Sequence, residues 1–380
     1  MSERIRVLVV DDSALMRKLI PAILERDPSI EVVGTAMDGT FALKKIDEFH
    51  PDVITLDLEM PRMDGLEALR LIMRRAPMPV IVFSTHSKEG AYSTFKALAL
   101  GAIDFVAKPR DAAAGHLEAI AVELIDKIKV AKRASGRKIR ASVEVETKSR
   151  QKKPIRATLP PSRIVAIGIS TGGPNALQYV LSQIPADFAA AILIVQHMPE
   201  GFTEMFARRL DECCALDVHE ARSGDLLIAG RVLICPGNRH MIVRRMPRGD
   251  MAVLSDGPPV NGHRPSADVL FHSVAQEFNL TSVGVLMTGM GDDGAEGLGA
   301  IKSAGGMTVA QSEDTCVVSG MPRAAIIKGY ANKIVPLESL SAFLVGLCGT
   351  DRDRPEKAEK KDKIDKNEKS DRTQVSSHRT

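Results

Sequence analysis

Short runs of consecutive apolar residues recur along this sequence, and each ends at glycine or at a polar residue. The clearest run occupies residues 164–167 and leads into the segment GISTGGP at 168–174, after which a helical pattern begins. A strand that is apolar on consecutive residues must be covered on both faces, as helices cover the strands of a parallel sheet. The pattern therefore predicts an α/β fold, with Ser170 at the carboxyl end of a buried strand.

Residues 168–172 match the pattern G-x-S-x-G, in which small neighbours expose a serine hydroxyl on a tight strand-to-helix turn. One interpretation is a nucleophilic Ser170 beside backbone N–H donors, and the alternative is a turn in which Ser170 caps the following helix. A phosphate-binding loop fits less well. No lysine follows at the required spacing, and the glycines do not match G-x-G-x-x-G.

The length of 380 residues indicates about two domains with additional segments. Hydrophobic residues at 44% and charged residues at 26% are globular values, and a net charge of +3 does not indicate a protein that coats nucleic acid. The five cysteines show no metal-binding spacing, which favours reduced thiols in a cytoplasmic protein. Because there is no secretory signal and no apolar run of about 20 residues, we expect no membrane insertion.

The first segment, residues 1–128, alternates five predicted strands with helices, which predicts a doubly wound parallel sheet. The predicted strands are 7–10, 31–36, 53–56, 80–83 and 103–106. The carboxyl ends of such strands meet at one edge, which would gather Asp11, Asp12, Asp57, Ser84 and Lys108. Neighbouring carboxylates repel one another unless a hard cation lies between them, and Mg²⁺ is the expected ion. A carboxylate bridged in this way can accept a phosphoryl group.

Three motifs in this segment resemble those of the receiver domain of bacterial response regulators: VVDDS at 9–13, DLEMPRMDG at 57–65 and AKP at 107–109. The resemblance implies a flavodoxin-like domain in which a histidine kinase phosphorylates Asp57. It implies that Mg²⁺ is held by Asp11, Asp12, Asp57 and the backbone carbonyl of Glu59. It also implies that three residues relay the change that follows phosphorylation: Ser84, Lys108 and Phe105, a mobile aromatic switch.

Two further segments have the composition of unfolded chain. Residues 129–161 are rich in lysine and arginine and poor in large apolar residues, which predicts a flexible or partly helical linker. Contact with nucleic acid or acidic lipid is the alternative for this basic run. Residues 350–380 are dense in charges and lack aromatic residues, which predicts a disordered tail.

A second α/β series, Rossmann-like in its alternation, occupies residues 162–349. His197 follows the predicted strand 191–195, and the pair Asp292 and Asp293 follows the predicted strand 283–287. A serine nucleophile needs a base for its proton, and the imidazole needs a carboxylate that fixes its tautomer. A serine, a histidine and an aspartate at one sheet edge therefore predict acyl transfer, and spacing alone does not choose between the two aspartates. The order Ser…His…Asp differs from that of α/β-hydrolases.

Six motifs in this segment resemble the catalytic domain of the CheB family of chemotaxis protein-glutamate methylesterases. They are GISTGG at 168–173, QHMP at 196–199, DGPPVN at 256–261, HRPS at 263–266, GMGDDG at 289–294 and GMPR at 320–323. The resemblance selects the second aspartate, Asp293, as the orienting acid, with Ser170 as nucleophile and His197 as general base and then acid. Thr171 and the backbone N–H of Met290 would assist at the oxyanion. His263 and Arg264 would line the substrate groove or serve in helix capping and packing.

The two resemblances together imply a phosphorylation-activated hydrolase that acts on glutamate methyl esters, and on specific glutamines, of methyl-accepting chemotaxis receptors. Its partners would be these receptors and a chemotaxis histidine kinase, without nucleic acid and without a cofactor in the second domain. One alternative is a response regulator with a DNA-binding output, favoured only by the basic linker, although no helix-turn-helix is recognisable after Ile164. The other is a scaffold whose triad is idle.

Overall fold

The computed structural model describes residues 4–108, 114–133 and 159–350, without the side chains of 114–117 and 119. Its two large sheets are parallel and flanked by helices, so the predicted α/β class with two parallel-sheet domains is confirmed. Residues 134–158 of the predicted linker, 129–161, and residues 351–380 of the predicted disordered tail, 350–380, lie outside the described residues. Among the described helices, none combines the length and the apolar character needed to cross a bilayer.

The first domain is a five-stranded parallel sheet with the order β2-β1-β3-β4-β5. Its strands are β1 (Ile5–Val10), β2 (Ile30–Ala36), β3 (Val53–Asp57), β4 (Val80–Ser84) and β5 (Asp104–Ala107). Its helices are α1 (Met16–Leu24), α2 (Gly39–Phe49), α3 (Gly65–Arg75), α4 (Lys88–Ala99) and α5 (Ala114–Arg133). All five predicted strands are present. Strands β3, β4 and β5 are buried along their whole length, as central strands covered by helices must be, whereas β2 at the sheet edge is mostly half-buried.

Helix α5 crosses residue 128, where the first domain was predicted to give way to the linker. The helix does not end at residue 128 but continues to Arg133. Lys129 lies 2.5 Å from a carboxylate oxygen of Asp27, and Lys132 lies 2.5 Å from one of Asp52. Both lysines resemble linker residues in the sequence, but in the structure they pair with acids of the domain that α5 covers.

The second domain is a seven-stranded parallel sheet with the order β14-β13-β12-β6-β7-β9-β8, beside a separate antiparallel pair, β10 and β11. The sheet strands are β6 (Ile164–Ile169), β7 (Ala191–Gln196), β8 (Asp217–Glu220), β9 (Arg231–Ile234), β12 (Ser282–Leu286), β13 (Met307–Gln311) and β14 (Lys333–Val335). The antiparallel pair is β10 (His240–Arg244) and β11 (Met251–Ser255). The helices are α6 (Gly173–Ser182), α7 (Phe202–Cys213), α8 (Ala267–Phe278), α9 (Ala295–Ser303), α10 (Gly320–Ile327) and α11 (Leu337–Cys348).

The position of β6 between β7 and β12 determines what its carboxyl end can contact. Ile169 pairs with Gln196 on β7, and Gly168 pairs with Leu286 on β12. Since the three strands are parallel, the chain leaves all of them at the same edge. Ser170 therefore enters a loop that lies between the loops that follow β7 and β12.

Aromatic side chains join the two domains. The rings of Phe95 on α4 and Phe206 on α7 are stacked with centroids 5.4 Å apart. Phe105 on β5 stacks on Phe202, the first residue of α7, with centroids 4.7 Å apart. A single buried apolar cluster contains residues of both domains. The receiver-like domain is thus packed against the helix that follows the His197 loop.

We expect Gly168→Ala to destabilise the second domain. A Cβ at this position would lie 2.7 Å from the Cβ of Ala267 and 3.0 Å from Cδ1 of Leu286, and both neighbours are fully buried. Such overpacking costs about 1–3 kcal/mol of unfolding free energy, which the urea midpoint of the full chain measures. The matched control is Gly346→Ala in α11, where a Cβ would meet no atom within 4 Å. It should be neutral or gain up to about 1 kcal/mol, and an equal loss at both positions would contradict the packing argument.

Candidate active site

The turn after β6 presents Ser170 without using it as a helix cap. Helix α6 is preceded by Gly172, whose φ of 75° is left-handed, and the helix has no side-chain cap. The Ser170 N–H donates to the Thr288 carbonyl at 2.9 Å, and the Gly173 N–H donates to the Ser170 carbonyl at 2.8 Å. A Cβ on Gly289 would lie 2.9 Å from the Cβ of Ser170. The glycine therefore lets the loop after β12 lie directly against the serine.

His197 and Asp293 are in direct contact across the end of β6. The His197 Nε2 lies 2.8 Å from the Asp293 Oδ2, and the Asp293 side chain is fully buried. The other ring nitrogen, Nδ1, is buried and has no hydrogen-bond partner among the described residues. Because Nε2 is engaged by the carboxylate, Nδ1 is the nitrogen that remains for a proton from another group. Its hydrogen bond to Ser170 is not formed in this structure, as is common for catalytic contacts before substrate binds.

The Asp293 carboxylate also receives donors from the start of α8. Its Oδ1 accepts from the Ser266 hydroxyl at 2.6 Å, and its Oδ2 accepts from the Ala267 N–H at 2.7 Å. Burial alone would raise the pKa of Asp293, but the hydrogen bonds and charge of His197 and the donors on α8 outweigh it and lower the pKa to about 2. The structure thus brings Asp293 to the imidazole, while Asp292 is exposed.

The His263 ring covers a face of the His197 ring. The two centroids are 3.9 Å apart and the planes are 10° from parallel. Burial, followed by the charge of His197, lowers the pKa of His263 to about 4, so this ring is neutral near pH 7. Arg264 instead holds the local loops: its Nε donates to Asn238 Oδ1 at 3.0 Å and its Nη1 donates to the Gly257 carbonyl at 3.1 Å. The ring stacking has no signal in the sequence beyond the presence of the histidine.

Two backbone N–H groups beside the serine are without acceptors. Within the described ranges, neither the Thr171 N–H nor the Met290 N–H donates a hydrogen bond. Thr171 is buried in the turn after Ser170, and its carbonyl accepts from the Thr288 hydroxyl at 3.0 Å. Met290 follows Gly289, which contacts the serine. Unused backbone donors close to a nucleophile can receive the oxygen of a tetrahedral intermediate.

The first domain has an acidic cluster at the carboxyl edge of its sheet. Ligand atoms of Asp11, Asp12 and Asp57 lie within 4.8 Å of one another. Lys108 Nζ is 2.7 Å from Asp57 Oδ2 and 3.1 Å from Asp11 Oδ2. Burial and the charge of Asp11 raise the pKa of Asp57 to about 6, against the opposing effect of Lys108. Three close carboxylates form an oxygen ligand set that fits a hard divalent cation.

The other predicted receiver residues contact helix α4, the second domain or the loop after β4. The Ser84 hydroxyl donates to the Gly90 carbonyl of α4 at 3.1 Å and accepts from Thr94 at 2.7 Å. Phe105 is buried against Phe202. The Glu59 side chain accepts a hydrogen bond from the Thr85 hydroxyl at 3.2 Å.

Comparisons with known proteins agree with this two-domain arrangement. A family model for CheB methylesterase matches residues 165–344, and one for the response regulator receiver domain matches residues 7–119. Protein-glutamate methylesterase/protein-glutamine glutaminase 2 of Koribacter versatilis is 62% identical over 348 residues, covering 90% of this chain and 95% of its own length. The protein-glutamate methylesterase/protein-glutamine glutaminase of Symbiobacterium thermophilum is 48% identical over 347 residues, covering 89% of this chain and 95% of its own length.

A solved structure is also similar to part of this chain. The crystal structure of the Thermotoga maritima CheB methylesterase catalytic domain shares 37% sequence identity with the chain at a TM-score of 0.48, covering 49% of this chain and 98% of its own.

We expect Asp293→Asn to change how stability depends on pH. Because the pKa of Asp293 falls from 3.8 to about 2 on folding, its carboxylate stabilises the folded state above pH 4, and this contribution disappears as pH falls towards 2. The variant should therefore lose about 2 kcal/mol of unfolding free energy at pH 7. The difference in urea midpoint between variant and wild type should disappear as the pH falls from about 4 to about 2. The control is Asp292→Asn, whose side chain is exposed. A difference in urea midpoint that does not change with pH, or that is equal for both variants, would contradict the conclusion that Asp293 is the buried acid with the low pKa.

Proposed function

We propose that this chain, which belongs to the CheB methylesterase family, is a serine hydrolase controlled by its receiver domain. Its substrates would be glutamate methyl esters on methyl-accepting chemotaxis receptors, with glutamate and methanol as products. Deamidation of specific glutamines would use the same residues, with ammonia as the leaving group. The reaction would take place in the cytoplasm, where the receptors carry these esters. The 2.8 Å contact between His197 and Asp293, beside Ser170, is the observation that carries the proposal.

Acylation would begin with proton transfer from Ser170 to His197. The serine Oγ attacks the ester carbonyl carbon while Nδ1 of His197 accepts the hydroxyl proton. The developing oxyanion would be stabilised by the unused N–H groups of Thr171 and Met290. Asp293 remains ionised, because its pKa is about 2, and it stabilises the imidazolium that forms. The tetrahedral intermediate then expels methoxide, which leaves as methanol with the proton from His197.

Deacylation would repeat these steps with water as the nucleophile. His197 takes a proton from water, the hydroxyl oxygen bonds to the acyl carbon, and the Ser170 oxygen leaves with the proton that His197 returns. The products are a glutamate side chain and the free serine. His263 is neutral under these conditions because its pKa is about 4. The imidazolium of His197 therefore forms without a second positive charge against its face.

In the receiver domain, Asp57 would accept a phosphoryl group from a chemotaxis histidine kinase. Asp11, Asp12, Asp57 and the backbone carbonyl of Glu59 would hold Mg²⁺. A bound Mg²⁺ supplies positive charge that offsets the charge of the phosphoryl oxygens. Lys108, which already contacts Asp57 at 2.7 Å, would bind one of those oxygens.

The contacts between the domains support control by occlusion. The Asn175 side chain on α6 donates to the Leu98 carbonyl of the receiver domain at 3.1 Å. Val317 packs on the apolar core of the receiver domain, and a Cβ on Gly172 would lie 2.6 Å from Val317 Cγ2. The receiver domain is therefore joined, through one side chain, to the turn that presents Ser170. We infer that it covers the substrate edge in the unphosphorylated state.

Phosphorylation would weaken the packing of the receiver domain over the substrate edge, and Ser84 would transmit this effect. Its hydroxyl is now bonded to α4, and a phosphoryl group on Asp57 would compete for that hydroxyl as a charged acceptor. Helix α4 and Phe105 carry the aromatic contacts with α7. A shift in these contacts supplies the difference in free energy between covered and open states that a switch requires.

We predict that Ser170→Ala lowers the rate of methanol release from methylated receptor membranes by roughly 10⁴-fold or more. It should also abolish covalent labelling by a fluorophosphonate. The matched control is Ser182→Ala at the other end of α6, whose hydroxyl donates to the Tyr179 carbonyl at 3.1 Å and should leave both readouts unchanged. Methanol release by a folded Ser170→Ala chain would refute the nucleophile.

We also predict that a small-molecule phosphodonor with Mg²⁺ raises the methanol release rate of the wild type but not of Asp57→Ala. Phe95→Ala removes a ring that stacks between the domains, so it should raise the rate severalfold without phosphodonor and reduce the further gain. Phe41→Ala is the control, because this receiver phenylalanine is 39% exposed. Equal rates of methanol release by the wild type with and without phosphodonor would contradict control by phosphorylation.

A further inference from the structure

The structure assigns a positioning role to Gln196, the last residue of β7, in the reaction proposed above. We propose that its side-chain amide aims the oxyanion donor of the Ser170 turn and holds the His197 backbone in place. The inference rests on the proposed function and adds a residue whose side chain need not touch the substrate.

The Gln196 amide links the nucleophile to the base. Its Nε2 donates to the Ser170 carbonyl at 3.0 Å and to the His197 carbonyl at 3.1 Å. A primary amide has two N–H hydrogens, and these two carbonyls use both of them. Gln196 is 2% exposed, so water does not compete for these bonds.

The bond to the Ser170 carbonyl controls the direction of the Thr171 N–H. The carbonyl of Ser170 and the N–H of Thr171 belong to the same planar trans peptide and point in opposite directions. The carbonyl is held on one side by Gly173 N–H at 2.8 Å and by Gln196. The Thr171 N–H is therefore aimed to the opposite side, and it has no acceptor among the described residues. A donor whose direction is set before the reaction stabilises the oxyanion without reorganisation.

The bond to the His197 carbonyl acts on the base. Within the described part of the chain, this carbonyl accepts from Gln196 alone. The His197 N–H donates to the Ile169 carbonyl at 3.1 Å. The backbone of His197 is thereby held to the Ser170 strand on one side of the residue and to the Gln196 amide on the other, which leaves the ring to be oriented by Asp293.

Gly173 provides the space that the amide needs. A Cβ at this position would lie 2.0 Å from Gln196 Oε1 and 2.9 Å from Cδ. Since Gly173 has no left-handed φ, the backbone conformation allows an alanine there, but its Cβ would clash with the Gln196 amide. Gly173→Ala should therefore displace the Gln196 side chain without deleting it.

The test compares Gln196→Leu, which removes both donors, with Gly173→Ala in the full chain. Methanol release gives kcat and KM, and the rate of Ser170 labelling by a fluorophosphonate reports the oxyanion site without a methyl ester. We expect both variants to lower kcat on the order of 10- to 100-fold and to slow labelling in parallel. KM should stay within about twofold, because the lost interaction acts mainly in the transition state.

Asn332→Leu is the matched control for loss of stability. Its amide oxygen accepts from the Thr308 N–H at 3.0 Å and the Thr308 hydroxyl at 2.6 Å, near the amino end of β13. It should lower the thermal midpoint while keeping kcat and the labelling rate. The inference is overturned if Gln196→Leu keeps wild-type kcat and labelling, or if it raises KM alone. Labelling that depends on Gln196 in a wild-type chain that releases no methanol would support the positioning role and refute the proposed substrate.

Discussion

The hydrogen bond between His197 Nε2 and Asp293 Oδ2 is the interaction on which the proposed chemistry depends. It joins the loops that follow β7 and β12, and these strands are separated by β6, the strand that leads to Ser170. The bond can form only if three strands run parallel in this order and end at the same edge. The donors at the start of α8 keep the carboxylate charged while it is buried. The pKa of Asp293 is low for that reason, and the imidazole is held by an acid that does not titrate near neutral pH.

The same edge is where the two domains meet. The helix that follows the His197 loop begins with Phe202, which stacks on the receiver residue Phe105. A change in the receiver domain would therefore act on a helix that begins close to His197, the proposed base. The proposed control and the proposed chemistry share this short stretch of chain, so a small displacement of α4 or Phe105 would act directly on the candidate site. Packed aromatic contacts favour two discrete arrangements over a continuous deformation.

The parts of the fold that were predictable from the sequence are those with a local signal. Strands β6, β7 and β12 are continuous apolar runs, and their burial requires that pattern. Strand β14 is short and two of its three residues are exposed, so it has no such signal. The end of α5 was missed because Lys129 and Lys132 resemble linker residues until their partners Asp27 and Asp52 are known.

The residues of the candidate site also divide into those with a local signal in the sequence and those that depend on tertiary contacts. Glycine-rich turns and strand ends indicated where the serine, histidine and aspartate lie, but spacing left Asp292 and Asp293 equivalent. The choice depends on which carboxylate meets the start of α8, which is a tertiary property. The stacking of His263 on His197 and the amide link through Gln196 also arise between segments far apart in the chain. They become visible only once β6 lies between its neighbours.

Nitrogen-15 NMR of the histidine rings, with His197 assigned by a His197→Gln variant, tests the link between His197 and Asp293 most directly. In the free enzyme near neutral pH, we expect the His197 ring proton on Nε2, hydrogen-bonded to Asp293, and an unprotonated Nδ1. In Asp293→Asn, the downfield Nε2 proton signal should be lost. A ring proton on Nδ1, or a signal that Asp293→Asn leaves unchanged, would contradict the claim that Asp293 sets His197 as the base for Ser170.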